Sequence, residues 1–284
     1  MPDPHAPGVE EAAERLLEAA RTRLPCAPVR DMLPDGSAET AYAVQNILTA
    51  RALDEGRQIT GRKVGLTSPA VQRQLGVDRP DFGVLFADME LAAGTVADFG
   101  RLLQPKVEAE IAFVLAADLD AADLDAAAVR AAVAHVVPAL EIVDSRIVGW
   151  DITFADTVAD NASSALYVLG AERTALGAED LTTVRMELVD GTGATVSEGT
   201  GAACLGDPVE AVLWLARTCR DLGAPLRAGE VVLSGALGPM VPAVADGVYT
   251  ARLSSLGTVS VGFSGAERAA GAAVTQDRPL GVSG

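Results

Sequence analysis

The chain has 284 residues, 49% hydrophobic and 21% charged, too apolar for a disordered chain and long enough to bury a substantial core. Its 22 basic residues against 39 acidic ones give a net charge of −17, and aromatic residues make up 4%. Such a surface repels phosphate and offers few rings for base stacking, so neither nucleic acid nor an anionic membrane is an expected partner.

Residues 9–23 place Ala12, Leu16, Leu17 and Ala20 on one helical stripe, acids first and arginines last, as the helix dipole favours. Residues 38–56 repeat the pattern with Tyr42, Val44, Ile47 and Leu48 inward and Gly56 as terminator. Beyond them, β-branched residues between Gly, Pro and Asp predict strands in QITGRKVGLTS, LLQPKVEAEIAFVLAADL, PALEIVDSRI, TTVRMELVDGTGATVSEG, EVVLSGALGPMVPAV and YTARLSSLGTVSVGF. Asp190-Gly191 signals a hairpin, while DAAAVRAAVAHV and DPVEAVLWLARTCRDLG read as helices. With so little regular βα alternation, the pattern favours an α+β mixed sheet over a doubly wound one. The expected organisation is one catalytic domain over 1–264, helical in 1–56 and sheet-built in 57–264, followed by a loose Ala/Gly-rich tail over 265–284.

No stretch approaches the roughly 18 apolar residues of a membrane span, and the start lacks the order of a signal peptide, so a cytoplasmic protein is expected. Cys26, Cys204 and Cys219 are odd in number and lack CxxC spacing, which suggests reduced thiols packed as small hydrophobes. Histidines are scarce. His5 falls at the terminus and His135 in an apolar run, where it reads as a core or strand residue rather than a catalytic one. The usual glycine-rich nucleotide loops, the GxSxG elbow and HExxH are absent.

Glu108 and Glu110 are one residue apart in a strand pattern, so both carboxylates share a face while Val107, Ala109, Ile111 and Phe113 share the other. Adjacent anions entering a core need a cation or a shifted protonation state. Glu141 is flanked by apolar residues in the same manner. Three carboxylates without histidine or thiol favour a hard divalent ion, Mg²⁺ or Mn²⁺; a solvent-facing edge strand is the bland alternative. Lys63 and Lys106 are the only lysines among the 22 basic residues. Glycines 61 and 65 flank Lys63 on its strand face and suggest room for a ligand at its ammonium, whose pKa is tunable where that of arginine is not. Lys106 reads as a surface counter-charge. Polar stretches at Pro80–Gly83, Asp156–Ser164 and Ser234–Pro239 read either as capped loops or as the walls of a small-anion pocket.

GRKVGLTSPAVQRQLGVDRPDFGVLFADM, LLQPKVEAEIAFVL, PALEIVDSRI, DTVADNASSALYVLG and LSGALGPMVP, in this order and within residues 38–263, closely resemble the 2-oxopent-4-enoate (2-hydroxypenta-2,4-dienoate) hydratases of the fumarylacetoacetate hydrolase superfamily. The resemblance implies a mixed β-roll of the fumarylacetoacetate hydrolase C-terminal type with a helical N-terminal part. It implies a cytosolic homo-oligomer of pentameric rings or a decamer, with a decarboxylase or aldolase as a conceivable partner. It further implies a Mg²⁺ or Mn²⁺ ion on Glu108, Glu110 and Glu141, no organic cofactor, and a small 2-hydroxydienoate substrate that is hydrated in aromatic meta-cleavage catabolism. Lys63 and Asp81 would face the substrate, and Asn161, Ser163, Gly235 and Leu237 would bind it. A 4-oxalocrotonate (2-oxo-3-hexenedioate) decarboxylase of the same superfamily is the rival reading, and a non-catalytic scaffold is the alternative of another class. A C–C hydrolase is disfavoured because its usual histidine–carboxylate pair lacks a histidine here.

Overall fold

The computed structural model describes residues 8–33, 37–68, 72, 77–177 and 179–265; the expected tail over 265–284, apart from Gly265, and His5 lie outside them. Two helices open the chain, α1 (Val9–Thr22) and α2 (Ala38–Asp54). α1 buries Val9, Ala12, Ala13, Leu16 and Ala19. Ala20, expected inward, is exposed and Leu17 half-buried, because small residues on the Val9–Ala13 side let α1 settle against α2 along that flank. Ser37 caps α2 by accepting from the Thr40 N–H, and Gly56 ends it at φ +86°.

The large sheet runs β2 (Asp81–Phe86), β1 (Ile59–Gly65), β10 (Val231–Leu233), β5 (Lys106–Leu115), β6 (Val133–Val143), β7 (Ser164–Leu169) and β3 (Glu90–Leu91), with β11 (Val241–Pro242) also on β5. The smaller sheet runs β4 (Val96–Asp98), β13 (Gly257–Ser264), β12 (Val248–Leu253), β8 (Arg185–Asp190) and β9 (Thr195–Thr200). Pairs β1·β10, β3·β7 and β4·β13 are parallel and the rest antiparallel, so the sheets are mixed as expected. β12 and β13 lie against β6, and Ile111, Phe113, Leu140, Ile142, Leu188, Ala251 and Val261 fill the main core. This is a mixed β-roll with a helical N-terminal part.

Three local readings are corrected. The hairpin at Asp190 forms, but around a longer turn: the Asp190 carboxylate accepts from the Thr192 and Ala194 N–H groups, and Gly193 takes φ +86°. The helix expected through His135 stops at Ala132 as α3 (Ala126–Ala132); the chain enters β6 at Val133, where β-branched residues take over, and His135 sits half-buried on that strand. The polar stretch from Asp156 begins not as a loop but inside a buried helix, α4 (Phe154–Ala159). Its apolar residues Phe154, Ala155, Val158 and Ala159 complete a second core with α1 and α2. The last helix, α5 (Pro208–Asp221), is capped by Asp207 and packs against α3 and β1. Among the described residues no helix is long and apolar enough to cross a membrane.

Candidate active site

The alternation along β5 sends Glu108 and Glu110 to one face, and the β5–β6 register sets Glu108 directly opposite Glu141. One oxygen from each of the three lies within 4.8 Å of the others. Burial deepens along the cluster: Glu108 is half-buried, Glu110 is 1% exposed and Glu141 0%. Burial raises the Glu141 pKa to about 7, with Lys63 pulling it back and Glu108 pushing it up. Burial likewise raises Glu110 well above the usual carboxylate range, reinforced by Glu141 and Glu108, although the Gly235 N–H donates to it at 2.8 Å. Apart from its ion pair with Lys63, Glu141 receives no hydrogen bond of good geometry. Carboxylate oxygens gathered in this way, with lone pairs unclaimed, fit a hard divalent cation.

Lys63 lies on β1 with its Nζ 3.2 Å from Glu141 and donating to the Ala162 carbonyl at 2.9 Å. Burial alone would lower its pKa, but Glu141, Glu108, Asp81 and Glu110 outweigh that and hold the ammonium charged. The glycines beside it do not leave space for a ligand, as the sequence suggested. A Cβ on Gly61 would stand 1.9 Å from the Val231 carbonyl oxygen of β10, and one on Gly65 would stand 2.1 Å from Asp81 Oδ1. The missing side chains admit the protein's own backbone and the Asp81 carboxylate. Asp81 opens β2 opposite Gly65 and is buried; its Oδ2 accepts from Thr157 Oγ at 3.2 Å while Oδ1 has no hydrogen-bond partner. Burial raises its pKa, opposed by Lys63 and Thr157.

After α4 the chain makes a turn in which Asn161, Ala162 and Ser163 all have left-handed φ, +53°, +51° and +54°. Such residues cost of order 1–3 kcal/mol each and persist only when surroundings over-determine them. Here the restraints are visible. The Asn161 carboxamide accepts from the Val84 N–H at 2.7 Å and donates to the Val84 carbonyl at 3.0 Å, and the Ser163 carbonyl accepts from Asp144 N–H at 2.8 Å. Gly83 lies beneath, where a Cβ would stand 2.4 Å from the Asn161 carbonyl oxygen. The turn aims the Ala162 carbonyl at Lys63 and leaves the Ser163 hydroxyl buried without a partner.

The structure thus brings Glu108, Glu110, Glu141, Lys63 and Asp81 together, with Ser163 and Gly235 beside them. Two expected substrate-binding residues are placed otherwise. Asn161 spends its carboxamide on Val84 and so fastens the turn to β2; Leu237 is wholly buried in the main core, with its N–H donated to Ala109 at 3.0 Å. Lys106, expected as a surface counter-charge, is half-buried with Nζ 4.0 Å from the centre of the Trp150 ring. Thr157 and the Ala162 carbonyl were not singled out from sequence, since neither residue type signals its role without the turn geometry. The cysteines are free, with Cys204 and Cys219 buried, and Cys204 Sγ donates to the Ser234 carbonyl.

The chain is also similar to known proteins. The fumarylacetoacetate (FAA) hydrolase C-terminal family matches residues 64–262. The chain is 52% identical to a TodF product hydratase of Pseudomonas putida, over 90% of this chain and 95% of the relative. It is 52% identical to a 2-keto-4-pentenoate hydratase of Paraburkholderia xenovorans, over 89% of this chain and 94% of the relative. Among solved structures, the 4-oxalocrotonate decarboxylase of Pseudomonas putida G7, complexed with magnesium and adipate, superposes with a TM-score of 0.85 at 33% identity, covering 90% of this chain and 97% of that one.

Proposed function

The chain belongs to the fumarylacetoacetate hydrolase C-terminal family, and from that premise we propose that it is a metal-dependent hydratase that adds water to 2-hydroxypenta-2,4-dienoate, giving 4-hydroxy-2-oxopentanoate. The observation that carries the reading is the buried meeting of three glutamates with one protonated lysine and one aspartate that keeps an oxygen unpartnered. Glu108, Glu110 and Glu141 would hold Mg²⁺ or Mn²⁺. When bound, the ion supplies Lewis acidity toward a 2-oxo acid head.

The remaining chemistry falls to the chain's own side chains. The Lys63 ammonium, anchored by the Ala162 carbonyl, can give a proton to C5 of the dienol as the enol proton leaves, which yields a 3-en-2-one with an electrophilic C4. Asp81 Oδ1, free of donors, can accept a proton from water as its oxygen bonds to C4, while Thr157 fixes the other carboxylate oxygen and with it the orientation. C3 takes up the proton that Asp81 accepted, and the enol proton restores the Lys63 ammonium, so the sum is the addition of one water. The reading extends to a cytoplasmic homo-oligomer of pentameric rings, as the resemblance implies. Product identification tests the function: freshly generated 2-hydroxypenta-2,4-dienoate with Mg²⁺ should yield 4-hydroxy-2-oxopentanoate, and light scattering tests the assembly.

A further inference from the structure

The chain's only two lysines both stand at the glutamate cluster, Lys63 at its buried end and Lys106 at its open one. Lys106 begins β5 and shares the strand face of Glu108 and Glu110, and the cluster becomes more exposed toward it. Among the described residues no carboxylate lies within ion-pairing distance of its Nζ; its contact is the face of Trp150 at 4.0 Å. An aromatic face holds an ammonium in place without neutralising it and leaves N–H groups free for an incoming anion.

The platform itself is built with care for one geometry. Trp150 is held at φ +56°, costly for a bulky residue, directly after Gly149 at φ +63°. Gln104 enforces it: its carbonyl accepts from Trp150 Nε1 at 3.0 Å, its Oε1 from the Gly149 N–H at 2.7 Å, and its Nε2 donates to the Ser145 and Ile147 carbonyls. Asp144 in turn accepts from the Gln104 N–H. Lys106 and Trp150 border a cleft of about 350 Å³ that Phe99, Leu102 and Pro242 also line.

We propose that Lys106, seated on Trp150, is the residue that captures the carboxylate of the incoming 2-oxo acid and holds it at the mouth of the glutamate cluster. The idea rests on the proposed function for the identity of the anion. It assigns Lys106 to binding and leaves Lys63 to proton transfer. With a net charge of −17 on the chain, a cation at the mouth of an acidic site favours the approach of an anionic substrate.

The test uses Mg²⁺-loaded protein and oxalate as a non-reacting mimic of the 2-oxo acid head, titrated calorimetrically at low and high salt, beside steady-state kinetics on the dienoate. Lys106→Met should weaken oxalate about tenfold or more, raise KM in step, leave kcat within about threefold, and flatten the salt dependence. Lys106→Arg should restore most of the affinity, and Trp150→Leu should show a smaller loss with the same KM-weighted pattern. Mg²⁺ affinity should be unchanged or tighter in Lys106→Met, since a positive neighbour has gone; weaker Mg²⁺ binding would mean that the site has collapsed and would overturn the assignment. Oxalate affinity and KM within twofold of the parent would overturn it as well. If no dienoate is hydrated by the parent protein yet oxalate binding still falls in Lys106→Met, the proposed reaction fails and the capture site stands.

Discussion

Glu108 and Glu141 face each other across neighbouring strands, a pairing that repels in any medium and more strongly where water is excluded. Removing one of these charges should therefore separate metal binding from folding. Glu108→Gln and Glu110→Gln are each expected to weaken Mg²⁺ binding and nearly abolish turnover, while the metal-free fold melts no lower than the parent; calorimetric titration and thermal scans check both. EDTA should silence the parent reversibly. The pH dependence follows with its sign. Glu141 has its pKa raised by burial to about 7, so the metal-free fold binds a proton that metal must displace. Mg²⁺ affinity should climb as pH rises through about 7, with Glu110, whose pKa burial also raises, extending the climb, and a flat profile from pH 5 to 8 would contradict this. By the same linkage, a raised carboxyl pKa means that the metal-free fold loses stability as pH rises from the ordinary glutamate range through about 7. Lys63→Met keeps the stem and removes the ammonium. Folding and Mg²⁺ binding should survive, and kcat/KM should fall by about 10² or more, with the loss mainly in kcat. An equal, KM-weighted loss at Lys63 and Lys106 would erase the distinction drawn between them.

The turn that follows α4 does at the level of an element what Lys63 does at the level of a residue. Ala162 presents its carbonyl to the ammonium only because Asn161, Ala162 and Ser163 accept left-handed backbone together. Asn161→Ala should remove both hydrogen bonds to Val84 and strand that buried N–H and carbonyl, costing roughly 1–3 kcal/mol of stability. It should also lower kcat more than it raises KM, since the loosened turn misplaces Lys63 rather than the metal ligands. Gly83→Ala pushes on the same turn from below and should share the kinetic pattern. The strand carrying Glu108 and Glu110 was legible in the sequence because a period of two needs only local residue order. The turn was not, because Ala162 and Ser163 have no preference for left-handed backbone and are held there by β2 and Asp144, contacts distant in sequence. The Gln104–Trp150 platform was hidden for the same reason: Gln104 and Trp150 meet only through tertiary hydrogen bonds.

At the scale of the whole molecule, the mixed sheet and helical N-terminal part followed from the strand pattern and the resemblance, whereas the order of the strands and the direction in which side chains such as Leu237 and Asn161 point depended on how the sheets curl. The fold alone does not choose the reaction, because a decarboxylase with 33% identity shares it at a TM-score of 0.85. Charge inside the site is expected to choose. Four carboxylates, Asp81, Glu108, Glu110 and Glu141, meet one buried ammonium, Lys63. A divalent ion would offset two of those charges, and a monoacid dienoate would then add one anion to the site proposed to be bordered by Lys106. A diacid would bring a second carboxylate, and with its far end toward Asp81 the two like charges would repel with little screening. The expectation is that 2-hydroxypenta-2,4-dienoate is hydrated and 2-oxo-3-hexenedioate is a poor substrate that loses little CO₂. Asp81→Asn should lower hydration by about 10² or more, by removing the acceptor for the water proton, and should tighten inhibition by the diacid, by removing one like charge. Product NMR in D₂O decides: 4-hydroxy-2-oxopentanoate from the five-carbon dienoate supports the charge argument. CO₂ release from the diacid by the parent protein, with the dienoate left unhydrated, would show that the site tolerates a second anion and that Asp81 serves the decarboxylating chemistry instead.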